Sequence, residues 1–305
     1  MFTVPLTATL LLGLAPAADP PLLEELAVTA PEPRFVAPTR RDRIGRIWAP
    51  VQIDGQGPFR LVLDTGASHS AVTAKVAEAL GIPLQQQEMM VLRGATGSAT
   101  VPTIPVASLE FGDLLVEPRR LAIIPDALGG AEGVLGTEGL ADKRVFIDFR
   151  GDRIEIRRSH SERAAQGFVT VPFRFMRGRL LVAEAKIGGV PVMAIIDTGG
   201  QATLGNLALR DALQRQGRHR QPVPDTITGT TLDQQSGDRA ATPPIVMGDL
   251  IVRSSAMTFV DLEIFRHWRL TREPAMLIGM DVLGLLEVLV IDYRRRELHI
   301  RLPRS

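Results

Sequence analysis

The chain of 305 residues contains no cysteine, which excludes disulfide bonds, thiolate nucleophiles and zinc sites built on cysteine. Its five histidines are scattered without the spacing of a metal-binding motif, so we expect no metal site. An excess of charge of one sign is also lacking, because 35 lysines and arginines balance 34 acidic residues. This balance argues against nucleic acid or an anionic membrane as a partner. The cluster Arg40, Arg41, Arg43 and Arg46 is interpreted as a solvated loop.

Long apolar runs are absent except at the N-terminus, where Val4 to Leu14 has the length of a signal-peptide core and is short for a membrane span. The small residues of Ala15-Pro16-Ala17 follow, in the pattern that a signal peptidase reads. The sequence therefore predicts a signal peptide over residues 1–18 and an exported protein, periplasmic or secreted. The missing cysteine excludes a lipoprotein anchor, and we expect no membrane span after signal removal.

One tripeptide occurs twice, each time directly behind an apolar run. "LVLDTGAS" covers Leu61 to Ser68, and "AIIDTGGQ" covers Ala194 to Gln201, with the two aspartates 133 residues apart. Chance alone predicts roughly a few hundredths of one such tripeptide in a chain of this length. The recurrence therefore indicates an internal duplication.

The sequence around each copy repeats as well. The turn glycines Gly55 and Gly188 are again 133 residues apart, and Val134 to Ile156 matches Leu277 to Ile300 in pattern. The predicted organisation is a signal peptide at 1–18, a Pro-rich linker at 19–34, a first lobe at 35–157, a linker at 158–168 and a second lobe at 169–303.

The periodicity within each half is mostly that of strands. Runs of four to eight residues such as "IWAPVQI" and "LLVAEAKI" alternate, bounded by glycine, proline or aspartate. Short strands at close spacing predict an all-β, barrel-like lobe. One short helix is predicted after each DTG, at Ala71–Leu80 and at Leu204–Gln214.

Two lobes packed about a pseudo-two-fold axis would bring Asp64 and Asp197 face to face. Carboxylates that close share one proton, so the pair holds an acid and a base side by side. A water between them can then attack a peptide carbonyl, with no cofactor. Several neighbours are expected to support this dyad. Gly66 and Gly199 can donate their N–H groups to the carboxylates, and Thr65 and Thr198 can form hydrogen bonds across the axis. Gly136 and Gly279, each preceded by two apolar residues in an apolar-apolar-Gly element, are expected to support the loops from behind.

These motifs resemble the retropepsin-like aspartic proteases, in the bacterial single-chain form with two tandem lobes. The likeness covers essentially the whole mature chain, with the DTG, the helix, the apolar-apolar-Gly element and the final hairpin each present twice. It implies a flap hairpin in each lobe, within Arg93–Thr100 and Ile227–Gly237. The flap candidates are Gly94, Ala95, Thr96, Gly97, Gly229 and Thr230.

The chain departs from the family pattern at two places. Pepsin-like enzymes carry a flap tyrosine, whereas the single tyrosine here is Tyr293, which is predicted to lie in the last strand. Neither DTG is followed by serine or threonine, because Ala67 and Gly200 stand there. Without a hydroxyl to stabilise the ionised carboxylate, we expect a working pH less acidic than that of a digestive pepsin.

Other polar residues receive structural interpretations. Asp148 and Asp292 open charged turns, and Glu138 and Asp281 are read as helix caps or first-turn acids. His267-Trp268 is read as core or rim packing.

The overall prediction is an exported aspartic endopeptidase that acts as a monomer on extended polypeptide. The alternative is an inactive peptide-binding or scaffolding protein of the same fold. A serine hydrolase built on Ser68-His69 is discounted, because "GASHS" lacks the second glycine of the nucleophile elbow.

Overall fold

The computed structural model describes residues 48–177, 179–217, 221–253 and 255–303, together with the backbone of β1 (Ala27–Thr29). The signal-peptide prediction, the Arg40–Arg46 cluster and most of the predicted 19–34 linker lie outside the described residues. The described strands form two sheets, of 15 and nine strands. This confirms the prediction of an all-β fold with two lobes.

The described residues of the first half form strands and one helix, α1 (Ala74–Ala79). Nine of its strands form one sheet in the order β5-β6-β9-β4-β10-β3-β2-β7-β8. The bounds are β2 (Trp48–Ile53), β3 (Gln56–Leu63), β4 (Ala71–Thr73), β5 (Met89–Arg93), β6 (Ser98–Val106), β7 (Leu109–Phe111), β8 (Leu114–Val116), β9 (Arg119–Ile124), β10 (Gly133–Leu135), β11 (Lys143–Asp148) and β12 (Arg153–Arg158).

The described residues of the second half are again mostly strands, but they include three helices, α2 (Leu207–Arg215), α3 (Glu263–His267) and α4 (Met280–Leu283). Its strands are β13 (Val169–Met176), β14 (Leu180–Ile187), β15 (Val190–Ile196), β16 (Leu204–Gly205), β17 (Val223–Thr228), β18 (Gln234–Ala241), β19 (Ile245–Met247), β20 (Leu250–Arg253), β21 (Ala256–Phe259), β22 (Ala275–Ile278), β23 (Val288–Asp292) and β24 (Glu297–Arg301). Strand β1 pairs in parallel with β20.

Alternating side chains build the core, as the sequence predicts. In β2, Ala49, Val51 and Ile53 are fully buried, whereas the residues between them are exposed. Strands β3 and β15 end differently, in three consecutive buried residues, because both of their faces are covered there. The largest apolar cluster runs without interruption from the first lobe into the second.

The two lobes are joined by their final hairpins. Strand β11 of the first half pairs antiparallel with β23 of the second, and β24 continues the sheet to β13. Phe146 lies opposite Val290 in this pairing. These two residues hold the same position in the two repeats, two residues before Asp148 and Asp292. The pseudo-two-fold axis therefore passes between Phe146 and Val290.

The predicted helices begin too early. Ala71–Thr73 and Leu204–Gly205 are strands, and the helices start at Ala74 and Leu207. Ala71 and Val72 pair with β10 on one side and β9 on the other, so tertiary pairing overrides their local preference. The sequence pattern predicts a short helix-like piece after the lobe glycine in both repeats. The segment that follows Gly136 is a series of turns in the first lobe, whereas the equivalent segment after Gly279 in the second lobe is helix α4.

Helix α3 was not predicted from the sequence. Residues 159–168, within the predicted linker, contain neither helix nor strand. In the described part of the chain, none of the helices has the length and apolar character needed to cross a membrane.

Candidate active site

The two DTG tripeptides stand at the ends of the buried strands β3 and β15. The N–H of Asp64 donates to the carbonyl of Leu135 at 2.9 Å, and the N–H of Asp197 donates to the carbonyl of Ile278 at 3.0 Å. Each aspartate is therefore held by the strand that precedes the glycine of its own lobe, Gly136 or Gly279. Both aspartates are half-buried.

Backbone N–H groups hold one oxygen of each carboxylate. Gly66 and Ala67 donate to Asp64 Oδ1 at 2.8 and 3.0 Å. In the second lobe, Gly199 and Gly200 donate to Asp197 Oδ1 at 3.0 and 2.9 Å. These bonds orient the carboxylates and leave the second oxygen of each one for other partners.

The threonines of the two tripeptides lock the lobes together. The Thr65 hydroxyl donates to the carbonyl of Ile196 at 2.6 Å and accepts the N–H of Thr198 at 3.1 Å. The Thr198 hydroxyl makes the equivalent bonds, related by the pseudo-two-fold axis: it donates to the carbonyl of Leu63 at 2.7 Å and accepts the N–H of Thr65 at 3.1 Å. Both side chains are buried, so the four bonds are shielded from water.

The glycines of the tripeptides lie against the opposite aspartate. A methyl group on Gly199 would overlap the carboxylate of Asp64, and one on Gly66 would lie 3.0 Å from Asp197 Oδ1. Glycine is therefore required sterically at Gly199, whereas a methyl group at Gly66 would need its neighbours to shift by a few tenths of an ångström. The space beside Gly66 is bordered by both carboxylates, because a methyl group there would lie 3.0 Å from Asp197 Oδ1 and 3.1 Å from Asp64 Oδ1.

The electrostatics of Asp64 follow from this pairing. Burial and the charge of Asp197 raise the pKa of Asp64 to about 7, although the Gly66 and Ala67 N–H groups act to lower it. The pair titrates as one unit that retains a shared proton through the mildly acidic range.

The predicted flap residues lie at the tips of two hairpins, β5–β6 and β17–β18. Gly94 to Gly97 form the first tip, and Gly229 and Thr230 belong to the second. The tips meet, because the Thr96 hydroxyl donates to the carbonyl of Asp233 at 2.9 Å. The first tip also accepts a bond from helix α3, whose Ile264 N–H donates to the carbonyl of Ala95 at 3.1 Å.

Other predicted residues lie apart from the dyad. Ser68 and His69 are exposed at the surface, and His267 is exposed while Trp268 is buried against Phe265. Asp148 accepts two turn N–H groups, whereas Asp292 is fully buried and paired with Arg144. Asp281 lies in the first turn of α4, and Glu138 lies in a turn.

Sequence reasoning missed two residues near the site. Arg179 reaches from the second lobe to the carbonyl of Thr137, next to Gly136, at 2.9 Å. Tyr293 is buried within electrostatic range of Asp64 and stacks on Phe175. Local pattern offers no signal for either, because both contacts join segments far apart in the chain. Among the described residues, no three His, Asp or Glu side chains form a group that could hold a metal ion.

Comparison with known proteins agrees with this geometry. A family model described as aspartyl protease matches residues 49–138 and 183–282, one segment in each half. No curated protein matches the chain significantly. The two matched segments contain the two DTG loops and the two later glycines, and together they cover more than half of the chain. The chain therefore belongs to the aspartyl protease family, with two retropepsin-like lobes in tandem.

Proposed function

We propose that the protein is an aspartic endopeptidase whose catalytic residues are Asp64 and Asp197. The observation that carries the proposal is the pair of adjacent carboxylates, one from each lobe, each held by two backbone N–H groups. Burial and the charge of Asp197 raise the pKa of Asp64 to about 7. Such a pair supplies a carboxylate as general base and a carboxylic acid as general acid at the same pH.

The reaction proceeds through a water held between the two carboxylates. The ionised aspartate removes a proton from this water as the oxygen attacks the peptide carbonyl, and the protonated aspartate donates to the carbonyl oxygen. The resulting gem-diol breaks down when the aspartate that took the proton of the water passes it to the leaving nitrogen and the carbon–nitrogen bond cleaves. The other aspartate takes a proton from a gem-diol hydroxyl, which leaves a carboxylic acid product and restores the singly protonated pair. The backbone N–H groups of both loops hold the carboxylates in place throughout.

An extended polypeptide is the substrate class that suits the surroundings of the dyad. Each lobe has a smaller apolar cluster beside its DTG loop, built on Val62 in the first lobe and on Ile195 in the second. Ala67 packs on the first cluster, and Ala202 packs on the second. Apolar side chains on either side of the cleaved bond would contact the partly exposed residues on these clusters, such as Ala67 and Ala202.

The cellular setting is proposed from the sequence. The apolar segment Val4 to Leu14 and the following small residues support export to the periplasm or beyond. Protein recovered from the cell envelope should begin near Ala18, whereas an intact Met1 on cytoplasmic protein would contradict export.

A monomer is the expected active species, because one chain carries both aspartates. Gel filtration with activity measured across the peak tests this expectation. Activity confined to a dimer peak would contradict it.

Replacing each aspartate separately tests the catalytic proposal. Asp64→Asn and Asp197→Asn should each abolish cleavage of an unfolded protein, and the double variant should be little worse than either, since the pair acts as one unit. The loss should appear in kcat. Asp148→Asn, a turn aspartate outside the site, is the matched control and should retain activity.

Two results would overturn the proposal. Normal turnover by Asp197→Asn alone would mean that the second lobe only supports the first. Peptide binding without cleavage by the wild-type protein would indicate an inactive member of the fold.

A further inference from the structure

In each lobe, a carboxylate two residues after Gly136 or Gly279 accepts a hydrogen bond from the segment that follows the DTG. We call this arrangement the fastening of that segment. In the second lobe, Asp281 Oδ2 accepts the N–H of Thr203 at 3.0 Å and Oδ1 accepts its hydroxyl at 2.7 Å. The same hydroxyl accepts the N–H of Gly279 at 3.2 Å. Thr203 is fully buried, so these bonds have no competition from water.

The first lobe contains the equivalent arrangement with different residues. Glu138 Oε1 accepts the N–H of Ser70 at 2.6 Å, and the Ser70 hydroxyl accepts the N–H of Gly136 at 3.0 Å. Ser70 and Thr203 both stand six residues after the DTG aspartate, and Glu138 and Asp281 both stand two residues after the lobe glycine. The recurrence on both sides of the pseudo-two-fold axis argues against a local accident.

In each lobe, one residue connects these hydrogen bonds to the catalytic carboxylate. In the second lobe, the carbonyl of Gly200 accepts the N–H of Met280 at 2.9 Å, while its N–H donates to Asp197. In the first lobe, the carbonyl of Ala67 accepts the N–H of Thr137 at 3.0 Å, while its N–H donates to Asp64. The acidic residue directly follows Met280 or Thr137, so it fixes the same junction.

We infer that Glu138 and Asp281 are positioning residues for the dyad, acting through Ser70 and Thr203. Each carboxylate holds the segment after its DTG against the strand that precedes Gly136 or Gly279. This contact keeps the N–H groups of the DTG glycine and of the next residue directed at the catalytic aspartate. This inference rests on the proposed function and extends it beyond the dyad itself. It adds to the interpretation of the two acids as helix caps or first-turn acids, since Asp281 does lie in the first turn of α4, whereas Glu138 lies in a turn.

The two lobes differ in how many oxygens of the Glu138 or Asp281 carboxylate accept a hydrogen bond. Both oxygens of Asp281 accept hydrogen bonds from Thr203, whereas Glu138 Oε2 is buried without a hydrogen-bond partner. The first lobe has another bond instead, from the Thr137 hydroxyl to the carbonyl of Ala67 at 3.1 Å. Loss of the fastening should therefore harm the second lobe more than the first.

A matched pair of substitutions at Thr203 tests the inference. Thr203→Val keeps the shape but removes the hydroxyl, and Thr203→Ser keeps the hydroxyl. We expect kcat of Thr203→Val to fall roughly 10- to 100-fold with little change in KM, because small displacements of catalytic groups have effects of this size. Thr203→Ser should restore most of the loss. Asp281→Ala should resemble Thr203→Val, and Ser70→Ala should cost less.

The second readout is the titration of the dyad, which needs no substrate. Carbon-13 NMR of labelled aspartate carboxyl groups follows it in the folded protein. Loosened N–H donors stabilise the ionised carboxylate less, so the titration of the dyad in Thr203→Val should move to higher pH. The control Asp148→Asn removes an acid that caps an exposed turn and should not move it.

The outcomes separate this inference from the proposed function. An unchanged titration and unchanged kcat in both Thr203→Val and Asp281→Ala would overturn the positioning role, even if Asp64→Asn abolished cleavage. Cleavage that survives Asp64→Asn would overturn the proposed function, while the titration would still decide the positioning role.

Discussion

In the proposed mechanism, Asp64 is the residue whose environment most directly sets the working pH. The charge of Asp197 acts on it, and its carboxylate accepts the N–H groups of Gly66 and Ala67. Burial outweighs these N–H bonds and raises the pKa of Asp64 to about 7. The shared proton therefore stays on the pair until the pH approaches neutrality.

We expect a bell-shaped activity profile with its maximum at mildly acidic pH and substantial activity remaining near neutrality. Only the singly protonated pair is active, so activity falls at low pH as the second proton binds and at high pH as the shared proton leaves. Initial rates on a peptide substrate across pH 3 to 9 would measure it. An optimum at strongly acidic pH, with no activity near neutrality, would contradict this explanation.

Ala67→Ser provides a test of the same explanation by a single added hydroxyl. Ala67 directly follows the first DTG and already donates its N–H to Asp64. A serine hydroxyl there can donate a further bond to the ionised carboxylate, which lowers its pKa and should shift the optimum to lower pH. Ala99→Ser, in strand β6 beside the same apolar cluster, is the matched control and should leave the optimum unchanged. Equal shifts in both variants would reject the role of the hydroxyl.

At the scale of the elements, the hairpins β5–β6 and β17–β18 show how two loops of different sequence are joined. Thr96 is buried although it lies at a hairpin tip, because Asp233 of the opposite tip covers it. The carbonyl of Ala95 is held by Ile264 of α3. The first tip is therefore fastened at two points on the second lobe.

Thr96→Val should loosen the contact between the tips. The change removes the bond to the carbonyl of Asp233 but preserves the shape of the side chain, so amide hydrogen exchange should rise at both hairpin tips and stay unchanged in β3 and β15. Thr100→Val, in strand β6 beyond the tip, serves as the control. Unchanged exchange at the second tip in Thr96→Val would show that the bond contributes nothing to the contact.

At the scale of the whole molecule, a buried polar network joins the two lobes across strands β11, β23 and β24. Arg144 of the first lobe donates to Asp292 at 3.0 Å and contacts His299 Nδ1 at 3.2 Å. An arginine can only donate, so this ring nitrogen is the acceptor and the other ring nitrogen donates to Glu297 at 3.0 Å. Ser159 also donates to Asp292.

Arg144→Met should reduce the free energy of unfolding by about 3 to 5 kcal/mol, because it leaves the fully buried Asp292 without its cation. Urea unfolding followed by circular dichroism would measure the loss. Lys75→Met, which breaks an exposed ion pair with Asp126, should hardly change the unfolding curve. Equal effects of the two substitutions would mean that the network does not hold the lobes together.

The amino-acid sequence by itself determined the duplication, the strand-rich lobes and the aspartates as the residues to examine. These features depend on local properties: a period of two in strands such as β2, buried runs before Asp64 and Asp197, and a spacing of 133 residues. Local properties suffice for them because burial on one face of a sheet imposes its pattern on neighbouring residues. The export signal and the domain bounds also come from sequence alone and stay predictions.

Only the tertiary structure decided which distant groups meet. Ala71–Thr73 became a strand because β9 and β10 supply partners from elsewhere in the chain. The pKa of Asp64 depends on the approach of Asp197, and the fastening of Thr203 depends on Asp281, 78 residues later. Such contacts arise from the packing of two lobes about an axis, and their energies depend on distance and burial. Neither quantity is a property of a local stretch of sequence.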